Sequence, residues 1–450
     1  MNLNKIHNIY FIGIGGIGMS AIARYFSANG KKVAGYDKVR TPITDTLQSL
    51  GIQVHFEEEI QKIDSVFFDK EKTIVVYTPA VPDKHKELAY FKNNGYIVLK
   101  RAEILGEITK NTFCFGVAGT HGKTTTSSIL GHIMEPLKAT SFLGGISENY
   151  NSNLILGDDK LSIVEADEFD RSFLRLSPNI ACITSMDSDH LDIYGKPNAL
   201  QDSFKEFAEK VSDSLIVAEG LPLEGLTYGF GALASYQALA IEIKDGGYVF
   251  KIKTPASLVE NVRFHLPGRH NLMNALAAFA MADVYGVSFD LIKKQLASFK
   301  GVKRRFSYKI KKEQIVLIDD YAHHSTEINA VEASVREMYP EKKVLAVFQP
   351  HLFSRTRDFA DDFADSLSKF DEVLLLDIYP ARELPIKGVT SSWLMEKMTL
   401  QNKKLTTKED LSKDVLQSNA EVIVMIGAGD IGLMVHNIKL KLEEKFSLLK

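Results

Sequence analysis

Cysteine is scarce in this chain: among 450 residues only Cys114 and Cys182 occur, each inside an apolar, strand-like run. Such thiols read as buried core residues, which argues against a disulfide-stapled secreted scaffold and suits a reducing cytoplasm. Long apolar runs are missing too. No stretch of 18 apolar residues occurs, so no membrane-spanning helix is expected. Lys5, the apolar run from Ile9 and Ala21-Ile22-Ala23 superficially resemble a signal peptide. Gly13, Gly15, Gly16 and Gly18 spoil that run as a continuous helix, and a soluble cytoplasmic protein is expected. An excess of either charge is also lacking. The formal net charge is −3 and there is no basic stripe, so nucleic acid is not an expected partner. Neither a repeat of 20–50 residues nor a low-complexity segment is found, which excludes solenoids and linker arrays. What remains, 45% apolar and 25% charged, is ordinary globular composition over enough chain for about three domains.

Against these absences stands one run, Gly119-Thr120-His121-Gly122-Lys123-Thr124-Thr125-Thr126. It follows a strand-like stretch, Phe113 to Val117, and leads into a helical one, Ser127 to Met134. A glycine-rich turn from strand to helix lets backbone N–H groups close on phosphate oxygens. The helix dipole, the Lys123 charge and a Thr124 hydroxyl able to ligand Mg²⁺ complete the cradle. Only two residues separate Gly119 from Gly122, where the common P-loop has four, so this is a shortened version.

Three modules alternate strand and helix. The first opens with strand 7–12, the loop Gly13-x-Gly15-x-x-Gly18, a helix from Met19 to Ala28 and a strand from Lys32 to Tyr36 that ends at Asp37, 19 residues beyond Gly18. This loop fits NAD(P), any ligand with a diphosphate and a ribose, or a turn that merely packs a helix on a sheet. A second phosphate loop further along shifts the balance to the broader diphosphate reading. The first module closes near Gly106 to Lys110, the second runs to the basic cluster Lys303-Arg304-Arg305, and the third opens with a strand at Ile315. Such alternation predicts parallel sheets flanked by helices, with ligands at the carboxyl ends of the strands.

At those ends the second module carries Glu165-Ala166-Asp167-Glu168 and Asp187-Ser188-Asp189-His190. Beside a P-loop, such groups are where Mg²⁺ needs hard ligands, with Glu168 and His190 the best single candidates; alone they would be surface acidic turns. Asn271 suits a helix cap, whereas Asn274, one turn further on, is a candidate for a base edge. An inter-domain arginine beside ATP is a natural clamp for γ-phosphate charge. In the third module Asp320-Tyr321-Ala322-His323-His324 and Gln349-Pro350-His351-Leu352-Phe353-Ser354-Arg355 each follow a strand. Zinc lacks a third ligand at the usual spacing, and a histidine with an arginine can equally hold a carboxylate.

Taken in order, GTHGKTTT, EADE, DxDH, GRHNxxNA, GVKRRF and DDYAHH resemble the Mur ligases of peptidoglycan synthesis over essentially the whole chain. GIGGIGMSAIA, QPHLFSR and Gly427-Ala428-Gly429-Asp430 are most similar to the branch that adds L-alanine. The resemblance implies an α/β protein of three domains: a Rossmann-like UDP-sugar domain over 1–108, a P-loop ATPase domain over 109–308 and a Rossmann-like amino-acid domain over 309–450. It implies ATP-dependent ligation of L-alanine to the lactyl carboxylate of UDP-N-acetylmuramate through an acyl phosphate, with two Mg²⁺ ions, in a cytoplasmic monomer or homodimer with no nucleic acid or membrane partner. Gly13, Gly15, Gly16, Gly18 and Asp37 would then serve the UDP-sugar, and Gly119, Thr120, His121, Gly122, Lys123, Thr124 and Thr125 the ATP. Thr124, Glu168 and His190 would ligand metal, and Arg305 would neutralise γ-phosphate charge. Asn274, Asp320 and Tyr321 would contact the adenosine, and His351 and Arg355 the alanine carboxylate.

Some positions depart from the family pattern. Ser325 replaces a proline, Leu352 a basic residue, and Thr78-Pro79 a pair of serines. Lys205, fifteen residues after His190, falls where sister ligases carry a carbamoylated lysine, which the alanine-adding branch generally does without. Hinges are expected near 107–112 and 306–312. An NAD-dependent oxidoreductase would leave GTHGKTTT unexplained, and a switch-like ATPase would leave QPHLFSR unexplained. A ligase adding a recycled peptide to the same sugar would usually carry a different first glycine loop.

Overall fold

The computed structural model describes residues 3–187, 197–244, 246–381 and 383–447. They form two compact units, with residues 1–242, 249–264 and 273–300 in the first and 243–248, 265–272 and 301–450 in the second.

The first unit opens with a five-stranded sheet of β1 (Asn8–Ile12), β2 (Lys32–Tyr36), β3 (Gln53–His55), β4 (Thr73–Tyr77) and β5 (Ile97–Lys100). All pairings are parallel, in the order β3-β2-β1-β4-β5. The order reverses between β1 and β4, and a crevice at such a switch point is where open α/β sheets bind ligands. The first glycine loop leaves β1 there and leads into the helix Ile17–Ala28.

A ten-stranded sheet follows, carried mainly by the same unit. Its strands are β6 (Phe113–Ala118), β7 (Thr140–Ser147), β8 (Ser152–Ile155), β9 (Leu161–Glu165), β10 (Ile180–Ile183), β11 (Ser214–Ala218), β12 (Leu226–Gly229), β13 (Tyr236–Lys244), β14 (Gly247–Lys253) and β15 (Leu258–Phe264), with β6 set between β10 and β9. β6 and its two neighbours run parallel, so both faces must be covered. One cover is the helix Arg269–Tyr285, in which every residue from Ala275 to Ala282 is buried. A helix apolar on all sides belongs inside a core, and its Tyr285 meets Phe113 and Phe115 of β6 edge-on. Cys114 and Cys182 are buried free thiols, and burial pushes them up to about 11 and about 12.

In the second unit the sheet runs β16 (Ser307–Lys311), β17 (Val316–Asp320), β21 (Val422–Ile426), β18 (Val344–Phe348), β19 (Glu372–Leu375) and β20 (Lys403–Leu405). Only β16 is antiparallel to its neighbour. β18 reads VLAVF and is buried throughout, the continuous apolar pattern of a parallel strand covered on both faces.

Of the two segments expected as hinges, 306–312 is mostly strand β16, held by a ladder to β17, and 107–112 lies within the first unit. There the helix Ile17–Ala28 packs on the ten-stranded sheet: Asn153 Nδ2 donates to Ile17 O at 2.6 Å and Ser20 Oγ at 2.8 Å, and Tyr25 meets Phe142 edge-on. Among the described residues no helix is long and apolar enough to cross a membrane.

Candidate active site

β6 delivers the chain to Gly119 in a conformation only glycine adopts easily, φ +133°. A Cβ there would lie 2.1 Å from Thr184 Oγ1, and one at Gly122 (φ +83°) would lie 2.5 Å from Asn274 Oδ1. The loop is pinned from the end of β10. Thr184 Oγ1 donates to Ala118 O at 3.1 Å and also to His121 O, while Ser185 Oγ accepts His121 N–H at 2.8 Å and bonds Thr120 Oγ1 at 2.9 Å. The helix Lys123–Met134 begins directly, four residues earlier than its apolar pattern indicates, so its first N–H groups face the loop.

Two carboxylates from the end of β9 divide the loop's side chains between them. Lys123 Nζ donates to Gly119 O at 2.5 Å and pairs with Glu168, 2.9 and 2.8 Å from its two oxygens. Burial lowers the Lys123 pKa, but the charges of Glu168, Asp167 and Glu165 outweigh it and hold the ammonium form. Thr124 Oγ1 lies 3.0 Å from both oxygens of Glu165, whose Oε2 also accepts Gly144 N–H at 2.9 Å. Sequence reasoning made Glu168 the best single metal candidate of EADE, sharing an ion with Thr124; in the structure the carboxylate that meets the Thr124 side chain is Glu165. The chain itself signals only that Glu165 ends a strand run; its place opposite Val117, two residues before the loop, comes from the register with β6.

Asn274 is buried and accepts from Thr126 Oγ1 at 3.2 Å, beneath the loop. Asn271 is not the helix cap. The helix starts at Arg269, and the Asn271 amide donates back to Pro267 O at 2.6 Å. His121 Nε2 lies 3.6 Å from Asp187 Oδ2. His190 lies outside the described residues. Lys205 is half exposed, 3.4 Å from Asp202 Oδ1.

The first loop is braced differently. Gly13 has φ +86°, and Asp37 accepts Gly15 N–H at 2.7 Å and Val39 N–H at 3.2 Å. Asp37 thus anchors loop backbone to the end of β2. Thr78 packs against Gly13, where a Cβ would come within 2.5 Å of its methyl group. Gly16 is the cap of a helix with no acidic residue in its first turn, so the helix N-terminus stays favourable to an anion.

The second unit gathers the remaining candidates at the ends of β17 and β18. Asp320 is buried, with its oxygens accepting Phe306 N–H at 2.6 Å and Ala322 N–H at 2.7 Å. Burial raises its carboxyl to about 6, against the opposing charge of Arg305. It fixes a turn in which Arg304 and Phe306 have φ +61° and +47°. Tyr321 carries the guanidinium carbons of Arg304 and Arg305 over its ring at 4.9 and 5.4 Å, and Arg305 reaches Glu327 at 3.7 Å. His351 stacks on Tyr379 at 5.7 Å and meets the edge of His323 at 6.0 Å. Burial and the charges of Arg355 and Arg305 oppose that of Glu327, and the His323 pKa falls. Leu352 sits at φ +72°, and Ser325 is the first residue of the helix Ser325–Met338.

Two strand-to-helix glycine loops, one carrying a lysine and carboxylates, place the chain in the class of α/β enzymes, and known proteins narrow it. Three family models match in succession: Mur ligase family, catalytic domain, over residues 8–112; Mur ligase middle domain over 117–282; and Mur ligase, glutamate ligase domain, over 304–432. The chain belongs to the Mur ligase family. Among curated relatives, the UDP-N-acetylmuramate–L-alanine ligase of Flavobacterium johnsoniae is 60% identical over 448 residues, 99% of this chain and 100% of the relative. The enzyme of the same name from Flavobacterium psychrophilum is 61% identical over 449 residues, with 99% and 100% covered. Among solved structures, the UDP-N-acetylmuramate–alanine ligase of Thermotoga maritima superposes with TM-score 0.83 at 26% identity, covering 98% of this chain and all of that one. A murein peptide ligase from Psychrobacter arcticus shares the fold, with TM-score 0.70 at 22% identity and 97% and 98% covered.

Proposed function

We propose that the chain joins L-alanine to the lactyl carboxylate of UDP-N-acetylmuramate at the expense of ATP, a step of peptidoglycan synthesis. One arrangement carries the reading: Lys123 and Thr124, at the start of a helix, held by two carboxylates from a single strand end, in a chain alike over its whole length to ligases of that name.

A carboxylate is a poor electrophile. Transfer of the γ-phosphoryl group of ATP to it yields ADP and an acyl phosphate, and the amine of alanine then attacks the acyl carbon. The tetrahedral intermediate collapses to the amide with loss of phosphate and a proton. No protein nucleophile is required, so catalysis is positioning and charge stabilisation. Lys123 holds the β- and γ-phosphates and then the acyl phosphate. Thr124, Glu165 and Glu168 offer hydroxyl and carboxylate oxygens, the hard donors that Mg²⁺ takes, and would hold it with His190 completing a second site. When bound, Mg²⁺ neutralises phosphate charge. Arg305 adds charge at the γ-phosphate, and Asn274, Asp320 and Tyr321 hold the adenosine. His351 and Arg355 hold the alanine carboxylate. Gly13, Gly15, Gly16 and Gly18 hold the uridine diphosphate, with Asp37 fixing that loop rather than reading NAD. The protein works in the cytoplasm as a monomer or homodimer.

The test is incubation of purified protein with UDP-N-acetylmuramate, ATP, Mg²⁺ and each of the twenty amino acids, following phosphate release and product mass. Alanine is expected to give phosphate and a single alanyl addition. Phosphate release without the sugar acceptor would instead point to a switch ATPase, and turnover only with a peptide donor to the recycling ligase.

A further inference from the structure

Between the first glycine loop and the acidic end of β9 lies a cleft of about 260 Å³, with Gly16 and Gly18 on one wall and Phe142, Gly144, Glu165 and Asp167 on the other. Arg101, the first residue of the helix Arg101–Thr109, reaches into it. Its guanidinium rests on the loop itself: a Cβ at Gly18 would lie 2.7 Å from Nη1. Nη2 donates to Asp167 Oδ2 at 3.0 Å. One cation thus touches the first phosphate loop and a carboxylate of the group that serves the second. The mechanism above leaves it without a role.

We propose that the Arg101–Asp167 ion pair couples the two phosphate loops. An anionic sugar nucleotide on Gly13–Gly18 draws Arg101 off Asp167, and the carboxylate, relieved of that arginine's charge, strengthens the second loop's hold on a nucleoside triphosphate and its divalent cation. The proposal rests on the preceding reading for the identity of the sugar nucleotide. The exchange is physically easy. Both side chains are partly open to solvent, at 24% and 34%, so their pairing is weak, and a diphosphate offers an arginine fork more charge than one carboxylate. Asp167 is also close enough to matter at the second loop, where its charge already helps hold Lys123 protonated. With Arg101 withdrawn, Glu165, Asp167 and Glu168 present more negative potential to a cation. By linkage, the triphosphate must improve sugar-nucleotide binding by the same factor.

The test is calorimetric binding of UDP-N-acetylmuramate to the full-length protein, with and without Mg²⁺ and a non-hydrolysable ATP analogue. In the parent protein the analogue is expected to tighten sugar-nucleotide binding by about fivefold or more. Arg101→Met is expected to weaken sugar-nucleotide binding and bring that ratio to about one. Asp167→Asn is expected to do the opposite in the absence of analogue, tightening sugar-nucleotide binding because Arg101 is released, while also abolishing the ratio. A merely structural ion pair predicts weaker binding in both variants, and that result, or a parental ratio kept in both, overturns the coupling. Thermal melts check folding, and if Arg101→Met does not fold, the sign of the Asp167→Asn effect decides. Parent protein that binds both ligands without mutual effect sinks the coupling alone. Binding the analogue but no UDP-sugar would overturn the functional reading along with it.

Discussion

The two glycine loops share one construction, strand to glycine turn to helix, yet they are equipped for different work. The Gly13–Gly18 loop has its backbone tied to Asp37 and no lysine of its own. The Gly119–Thr124 loop is tied by Thr184 and Ser185, which leaves Glu165 and Glu168 for Thr124 and Lys123. On the proposed reading, the first loop, with Arg101 against it, would hold a diphosphate that stays intact. Transfer of a phosphoryl group concentrates charge at the reacting oxygens, and the second loop carries the lysine and the hard carboxylate donors for it. The carboxylates, rather than the glycines, would separate a grip from a reaction centre.

The comparison breaks most visibly at Lys123. Lys123→Ala is expected to lower phosphate release by about 10³-fold with little change in UDP-sugar affinity, measured by steady-state kinetics and calorimetry. Loss of sugar binding to a similar degree would mean that the loops do not divide the labour. Next come the two carboxylates. Glu165→Gln and Glu168→Gln are each expected to raise the Mg²⁺ concentration for half-maximal rate by about 10-fold or more, with Glu168→Gln also lowering kcat through Lys123. An unchanged Mg²⁺ requirement in either variant would show that its carboxylate does not ligand the metal.

The glycines themselves offer a matched pair. Gly15→Ala would set a Cβ 2.8 Å from Asp37 Oδ2, and is expected to raise KM for the sugar nucleotide several-fold with ATP binding kept. Gly122→Ala, strained by its positive φ and 2.5 Å from Asn274, is expected to do the reverse.

The smallest effect lies beneath the first loop. Tyr10 donates to Glu87 at 2.7 Å and bonds His55 at 2.7 Å, with the rings of Tyr36 and His85 tilted against each other nearby at 4.6 Å. Burial raises the fully buried Glu87 to about 7, so its stabilising neutral form is complete below its ordinary value near 4.5 and is lost as pH climbs through about 7. Burial lowers the pKa of His55 and His85, so their contribution is lost in the opposite direction, as pH falls. Relative to the parent, Glu87→Gln should therefore gain about 1–2 kcal/mol between pH 5.5 and pH 8 in chemical denaturation. A constant difference across that range would refute the raised pKa.

Much of this was legible along the chain. Glycine, lysine and threonine in a strand-to-helix turn announce phosphate, because backbone conformation and charge there depend on residue type at adjacent positions. Strands such as VLAVF announce a parallel sheet for the same local reason. Boundaries were less legible. Asn271 suited a cap, but its amide bonds back to Pro267, and strand β16 within 306–312 went unread, because neighbouring β17 supplies its hydrogen bonds.

By itself, then, the sequence determined the two loops, the alternating α/β modules and the family to which they belong, all properties of residues close together in the chain. Only the tertiary structure decided that Glu165 meets Thr124 while Glu168 meets Lys123, and that Arg101 lies across Gly18 toward Asp167. Those partners stand 41, 45 and 66 residues apart; the register of β6 with β9 brings the first two pairs together, and packing of the helix Arg101–Thr109 beside the end of β9 the third, neither of which a local pattern encodes.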